Sequence, residues 1–364
     1  MEKIEQLTLP KEGRVIVISD IHGELDLLKA LLKKVDYTAE DYLIINGDLC
    51  EKGSDSKGVV SYVMDLAIKN DKVLVTEGNC DTLVEDLMQE NPELIPYLCQ
   101  RPHSVLNEWL NECGCPIEEG ISVQAVKEVL TRYYLQEIEW LKALPTAIET
   151  EDYIFVHAGL EDIENWKETK RDTAITLPAF LEKTHRAGKY VIVGHWPVAN
   201  YHSKVRAHHP IINEEKKMIA IDGGNVIKPT GQLNAFIIQR SPVGDEFTYT
   251  HVDRFPTCLV QENYTADPGR SGSISYPHYV VAPIEKHDHF TLCKQVETDE
   301  LCYVKNEYIT QGKDGRFTAK ADVSCAELTV QKGDLVSILD DTCAGYTLIK
   351  KDGREGWVPK AVMK

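Results

Sequence analysis

The chain has 364 residues, 43% of them apolar, and a formal net charge of −18 from 40 basic and 58 acidic residues. That length allows two or three domains, the apolar content suits a folded soluble protein, and the acidic excess without a compensating basic patch argues against nucleic-acid binding. No apolar run approaches the roughly 20 residues that span a bilayer, the opening Met1-Glu2-Lys3-Ile4-Glu5-Gln6 is not a secretory signal, and ten scattered cysteines without C-x-x-C pairs read as reduced thiols of a cytoplasmic protein.

The first informative stretch is Val15-Ile16-Val17-Ile18-Ser19-Asp20-Ile21-His22-Gly23. A β-branched run stops at a polar cluster, and helical spacing follows at Leu25, Leu27, Leu28, Leu31 and Leu32. This predicts a strand, a tight turn and an amphipathic helix, with Asp20 and His22 at the carboxyl end of the strand. A second apolar run ends at Asn46-Gly47-Asp48, and a third, Val73-Leu74-Val75-Thr76, ends at Gly78-Asn79. Helical spacing over residues 25–34 and 59–69 fills the gaps. Alternating strands and helices predict a largely parallel sheet, in which all three strand ends face the same way. Residues 83–145 change character and read as a helical insertion that walls or covers the site. The pattern then resumes at Tyr153-Ile154-Phe155-Val156-His157-Ala158-Gly159 and at Tyr190-Val191-Ile192-Val193-Gly194-His195. Two closing strands follow, around a glycine-rich turn at Asp222-Gly223-Gly224.

These blocks, in this order, resemble the calcineurin-like metallophosphoesterases, and within them the phosphoprotein phosphatase branch, which includes serine/threonine phosphatases and diadenosine tetraphosphatases. Ser19-Asp20-Ile21-His22-Gly23, Gly47-Asp48-Leu49-Cys50-Glu51-Lys52-Gly53, Gly78-Asn79-Cys80-Asp81, His157-Ala158-Gly159 and Gly194-His195-Trp196 carry the resemblance. It implies an α/β (α+β) metallophosphoesterase sandwich with a helical insertion, and a cofactor of two divalent metal ions. Asp20 and His22 would bind the first ion, Asp48 would bridge both, and Asn79, His157 and His195 would complete the second. Manganese is the expected metal, with iron or zinc as alternatives. The chemistry implied is direct attack by a metal-bridging hydroxide, with no covalent enzyme intermediate. The sequence departs from the family pattern where a leaving-group acid, its carboxylate partner and a phosphate-gripping arginine are expected. These positions hold Cys80, Glu51 and Lys52. A thiol brings no positive charge to the leaving oxygen, and a lysine lacks the guanidinium fork. Alkyl phosphomonoesters should therefore suffer more than aryl esters, diesters or anhydrides. Cys50 and Cys80, on neighbouring strand ends, also suggest an oxidation-sensitive pair. A downstream cluster of His202, Lys204, Arg206, His208 and His209 offers Arg206 as a further phosphate grip.

Domain boundaries are expected at residues 1–255 (catalytic, with 83–145 inserted), 256–312 (a linker and an SH3-like barrel over 276–310) and 313–364 (an SH3-like domain). Asp267-Pro268-Gly269-Arg270-Ser271-Gly272-Ser273 reads as linker. The stretches Glu327-Leu328-Thr329-Val330 and Gly356-Trp357-Val358-Pro359 resemble an SH3 domain, whose groove would draw on Trp357, Pro359 and Tyr346. Phe290-Thr291-Leu292-Cys293-Lys294 is similar to Tyr346-Thr347-Leu348-Ile349-Lys350, which suggests the extra barrel. The expected activity is that of a serine/threonine protein phosphatase-like enzyme acting on a phosphorylated protein. A nucleotide hydrolase or phosphodiesterase is the alternative, and a non-catalytic scaffold the lesser one. A peptide or protein ligand of the SH3-like part is the expected partner; nucleic acid and membrane are not.

Overall fold

Side chains of the strand Gly13–Ile18 divide between two layers, as a period of two requires. Val15 and Val17 face a second sheet, while Ile16 and Ile18 face helices. This follows from a computed structural model describing residues 1, 3–118 and 120–363. Lys364, the end of the expected SH3-like domain, lies outside that range. By the packing of the backbone the chain forms two units: Met1–Pro197, Pro210–Ile227 and Gly231–Asp253; and Val198–His209, Lys228–Thr230 and Arg254–Lys364.

The first unit holds strands β1 (Ile4–Gln6), β2 (Gly13–Ile18), β3 (Tyr42–Asn46), β4 (Val73–Thr76), β5 (Ala147–Glu149), β6 (Tyr153–Val156), β7 (Tyr190–Val193), β8 (Ile211–Asn213), β9 (Met218–Ala220), β10 (Leu233–Arg240) and β11 (Glu246–Val252). One sheet has the order β11-β10-β2-β3-β4 and the other β1-β5-β6-β7-β9-β8. Strand and helix alternation alone predicts one largely parallel sheet; the two sheets found are the sandwich that the family resemblance implies. β2, β3 and β4 run parallel in one, and β6, β7 and β9 run parallel in the other. Both kinds of strand are apolar on two faces, so pattern alone does not assign them to sheets. The inter-sheet core includes Val17, Ile44, Phe155, Ile192 and Phe236. Asn46 ties the sheets where the chemistry lies, donating through Nδ2 to the carbonyls of Val156 (3.0 Å) and Ile192 (3.1 Å).

Leu25–Lys34 and Ser56–Lys69 form the helices between the parallel strands. Asp26 in the first turn and Lys33 and Lys34 in the last complement the dipole of the former. Asp55 caps the latter by accepting from the Gly58 N–H at 3.0 Å. Five helices, Leu83–Met88, Leu94–Cys99, Val105–Glu112, Val123–Tyr133 and Leu135–Ala143, occupy the insertion. Trp109 stacks on Tyr134 there, with ring centroids 4.9 Å apart.

The second unit is built of β12 (Thr257–Leu259), β13 (Ser273–Ile274), β14 (Val280–Lys286), β15 (Phe290–Gln295), β16 (Leu301–Lys305), β17 (Ile309–Gln311), β18 (Phe317–Ala319), β19 (Val323–Ser324), β20 (Leu335–Asp340), β21 (Tyr346–Lys351) and β22 (Arg354–Pro359). The sheets are β12-β20-β21-β22, β16-β15-β14-β18-β17 and the pair β13-β19. Three expectations need correction. Phe317–Ala319 pairs with β14 and β17, so the middle sheet runs past residue 310 and takes this strand from the last one. The expected linker is not loose: Gly272 donates to the Lys204 carbonyl at 2.6 Å, and Ser273–Ile274 pairs with Val323–Ser324. Trp357 is not a groove residue. It is fully buried against the edges of Phe290 and Tyr308, and its Nε1–H donates to the Ser324 carbonyl at 2.7 Å.

Arg206 is likewise placed otherwise than expected. It is fully buried in the second unit, 2.8 Å from Asp322 and 3.5 Å from Glu355. His208 also pairs with Glu355, and Lys228 with Asp322. A guanidinium held by two buried carboxylates has no access to a substrate phosphate.

Candidate metal centre

Every metal-competent residue of the sequence pattern stands at the carboxyl end of a strand. Asp20 and His22 follow β2, Asp48 follows β3, Asn79 follows β4, His157 follows β6 and His195 follows β7. Four of them hold the left-handed region, with φ of 55° at Asp20, 49° at His22, 54° at Asp48 and 64° at His195. Such a conformation costs roughly 1–3 kcal/mol per residue and persists where neighbours over-determine it. Here the turn after β2 is laced to the turn after β3: Asp20 N–H donates to Gly47 O (3.1 Å), His22 N–H to Asp48 O (3.0 Å) and Gly23 N–H to Leu49 O (2.8 Å). Gly47 and Gly194 allow the close approach. A Cβ on Gly47 would meet Nδ1 of His157 at 2.6 Å, and one on Gly194 would meet Oδ2 of Asp20 at 2.2 Å.

The side chains converge around Asp48. Its Oδ2 lies 3.7 Å from Nε2 of His22, and its Oδ1 lies 3.4 Å from Nε2 of His157. Oδ1 of Asn79 lies 3.2 Å from Nε2 of His157 and 3.0 Å from Nδ1 of His195. Asp20, Asp48 and His157 bring ligand atoms within 4.8 Å of one another, and so do His22, Asp48 and Cys80. Asp48 thus belongs to both groups and turns one oxygen toward each.

The imidazoles are set for cations. Nδ1 of His22 lies 3.2 Å from the Cys50 carbonyl, and Nδ1 of His157 lies 3.0 Å from the Asn46 carbonyl. A carbonyl only accepts, so each Nδ1 carries a proton and each Nε2 faces the cluster, where it could bind a cation on giving up any proton of its own. Nε2 of His195 lies 3.2 Å from the Thr176 carbonyl, which leaves its Nδ1 lone pair inward. Carboxylate, amide oxygen and neutral imidazole together fit divalent cations of the first transition row.

Protein charges alone leave this cluster unbalanced. Burial opposes ionisation of Asp48, but His157, His22 and Lys52 hold its carboxyl well below the usual range. His157 is pushed up to about 10 by Asp48, against burial. His195 falls to about 4 through burial and the neighbouring His157. Burial would lower Lys52, but Cys80, Asp48 and Asp20 raise it, which places its ammonium beside them.

Two further residues at the site escape motif reading. Asp222 is buried, and its Oδ2 has no hydrogen-bond partner among the described residues. Burial and the adjacent Asp20 push it well above its ordinary value. Its signal was an apolar run ending in Asp, but the two glycines that follow it, where Asp48 has one glycine before it, disguised it as a plain turn. Asp81 accepts from the N–H groups of Asp48, Leu49 and Gly78, each at 2.9 Å, and so locks two turns together. Glu51 does not partner Cys80 as expected. Its carboxylate accepts from Val105 N–H (2.9 Å) and Tyr97 O–H (3.1 Å), and burial raises it to about 7, so it anchors the insertion. Cys50 and Cys80 do not favour thiolate among these groups. Burial pushes both up, Asp81 adding to the rise at Cys50 and Asp48 at Cys80.

Two stacked sheets that aim an Asp, His and Asn constellation at one cleft define the scaffold of a metal-dependent phosphoesterase. Comparison with known families agrees. The model for calcineurin-like phosphoesterases matches residues 13–218, more than half of the chain, and the model for variant SH3 domains matches residues 317–364. The chain belongs to the calcineurin-like phosphoesterase family, which implies divalent metal ions, and carries a variant SH3 domain at its C-terminal end. It is similar to the symmetrical bis(5'-nucleosyl)-tetraphosphatase of Buchnera aphidicola subsp. Acyrthosiphon pisum (strain Tuc7), with 43% identity over 65 residues, 18% of this chain and 23% of that protein. It is similar also to the enzyme of the same name from Enterobacter sp. (strain 638), with 28% identity over 179 residues, 46% of this chain and 53% of that protein. The chain thus spans from under a quarter to about half the length of these relatives. Among solved structures, a putative diadenosine tetraphosphatase aligns over 69% of this chain and 99% of its own, with 22% identity and a TM-score of 0.44. A protein serine/threonine phosphatase from Saccharomyces cerevisiae aligns over 70% and 85%, with 12% identity and a TM-score of 0.42.

Proposed function

We propose that this chain hydrolyses phosphate esters, with divalent cations held by Asp20, His22, Asp48, Asn79, His157 and His195, and that its substrate is a phosphorylated protein. The observation that carries this is Asp48, whose two carboxylate oxygens face His22 and His157 separately. Bound cations there would lower the pKa of water and neutralise charge developing on the phosphoryl oxygens. The protein's own groups do the rest. The Lys52 ammonium, beside Asp48 and Cys80, draws the phosphoryl group in. The Asn79 amide orients it. Cys80 stands where an imidazolium would assist the leaving oxygen, so leaving groups that need little protonation are favoured.

A cavity of about 320 Å³ opens beside Asn79 and Cys80, lined by Thr82, Asp86, Asn91, Glu93 and Tyr97 among others. Its lining holds carboxylates and no lysine or arginine, which suits a leaving group free of further phosphates. That supports a phosphorylated side chain over a nucleoside polyphosphate. Hydrolysis of a dinucleoside tetraphosphate is the second reading. It is favoured by the Buchnera and Enterobacter matches and by Gly194-His195-Trp196. Convergence of all six donor positions speaks against a scaffold without catalysis. Ten unpaired thiols support a reducing compartment such as the cytoplasm, and no helix among the described residues is long and apolar enough to cross a membrane. A peptide on the C-terminal barrel would engage the half-buried Tyr346 and Pro359 rather than Trp357.

The test is a manganese-supplemented panel of p-nitrophenyl phosphate, a bis-aryl phosphodiester, a phosphoserine peptide and diadenosine tetraphosphate, with Asp48→Asn as control. Turnover of aryl phosphate and peptide is expected. Turnover of the tetraphosphate or diester alone moves the assignment to the second reading or to a phosphodiesterase. No turnover by metal-loaded protein contradicts both.

A further inference from the structure

The cysteine at position 80 does more than leave a gap where an acid would stand. Its sulfur, a carboxylate oxygen of Asp48 and a ring nitrogen of His22 lie within 4.8 Å of one another. The backbone fixes this placement. Cys80 N–H donates to Oδ1 of Asp48 at 2.9 Å, and Asp81 binds both the 48–49 turn and Gly78, so the two loops cannot drift apart. No disulfide claims the thiol; Nδ2 of Asn79 lies 3.6 Å from it, and the Asp48 carboxylate and Lys52 ammonium are its other polar partners. Nε2 of His22 is free to bind because the Cys50 carbonyl takes Nδ1–H.

We propose that Cys80 is itself a metal ligand, completing with His22 and Asp48 a sulfur, nitrogen and oxygen donor set for one of the two cations. The idea rests on the phosphoesterase reading above and deepens it by selecting the metal. With Asp20 beside His22, this site would combine carboxylate, imidazole and thiolate, donor types that zinc accepts together, and a cation deprotonates the thiol it binds. Thiolate favours zinc, cobalt or iron over manganese, which prefers oxygen. The same assignment explains why Cys80 would give little acid assistance, since a coordinated thiolate has no proton to donate.

Cobalt(II) is the probe. The metal-stripped full-length chain is titrated with cobalt while the visible d–d bands and the near-ultraviolet thiolate-to-cobalt charge-transfer band are recorded. The wild type is expected to show both. Cys80→Ser and Cys80→His should retain the d–d bands and lose the charge-transfer band. A Cys113→Ser/Cys115→Ser chain, which removes the closely spaced pair elsewhere, should retain both. Cys80→Ser should also narrow the preference for zinc over manganese by about tenfold or more in competition titrations. Wild-type d–d bands without charge transfer, or a charge-transfer band that survives in both Cys80 variants, would overturn the assignment while leaving the phosphoesterase reading intact. Absence of any cobalt binding would overturn both.

Discussion

The chain buries carboxylates in two places and completes them differently. In the second unit Asp322 accepts from Arg206 (2.8 Å), Lys228 (2.8 Å) and the Tyr279 hydroxyl (2.5 Å), and Glu355 faces His208 and Arg206. Against burial, Arg206 with Lys228 holds Asp322 at about 2, and His208 with Arg206 holds Glu355 at about 2. In the cleft of the first unit, Asp20, Asp48 and Asp222 share the histidines and Lys52; Asp222 Oδ2 lacks a hydrogen-bond partner among the described residues, as do Glu355 Oε2 and two guanidinium nitrogens of Arg206 in the second unit, so the difference lies in the ratio of carboxylates to cations. Burying charge is costly unless it is paired. A cluster completed by the protein's own cations is scaffold. A cluster with more carboxylates than cations to pair them is where a divalent cation would be held.

The comparison breaks most visibly at Asp48. Asp48→Asn should lower kcat/KM on the order of a thousandfold, and the metal-stripped chain should melt below wild type at neutral pH, because His157, His22 and Lys52 hold the Asp48 carboxyl below its usual range and so lose a stabilising counter-charge. Asp322→Asn should leave kcat/KM near the wild-type value and act on stability alone. Arg206 and Lys228 would be left buried without a full counter-charge, costing the second unit about 3–5 kcal/mol, read as a lowered calorimetric transition. Chelation sharpens the contrast from the metal's side. It should lower the transition of the first unit alone, since a ligand at a hundred times its Kd stabilises by about 2.7 kcal/mol. Acid acts on both buried carboxylates of the second unit together. The folded values of Asp322 and Glu355 lie below the ordinary carboxylate range, so their stabilisation is complete above pH ~4 and lost as pH falls from about 4 to about 2. Circular dichroism across that window should show the second unit loosening as pH is lowered, and Asp322→Asn should flatten the dependence.

What could be read beforehand follows from where the partners lie in sequence. Asp20, Asp48, Asn79, His157 and His195 were legible because each ends an apolar run with a glycine within three residues, and the repetition identifies strand ends sharing one edge. Division of those strands between two sheets was not legible, because both sheets are covered on their faces and the Asn46 amide that joins them looks like an ordinary strand residue. Arg206 read as a solvated phosphate grip because its local sequence is basic. Its true partner, Asp322, lies 116 residues downstream, where no local pattern reports it. Trp357 sat in a recognisable SH3-like block, but its burial depends on Phe290 and Tyr308, which come from another sheet. Glu51 was misjudged for a related reason: the insertion that takes its carboxylate begins beyond the motif.

The most direct test of the cleft as a cation site built around one shared carboxylate is calorimetric titration of the metal-stripped full-length chain with zinc. Two ions per chain are predicted, with tight binding lost at both positions in Asp48→Asn. Binding whose stoichiometry and affinity are unchanged by Asp48→Asn would contradict the account.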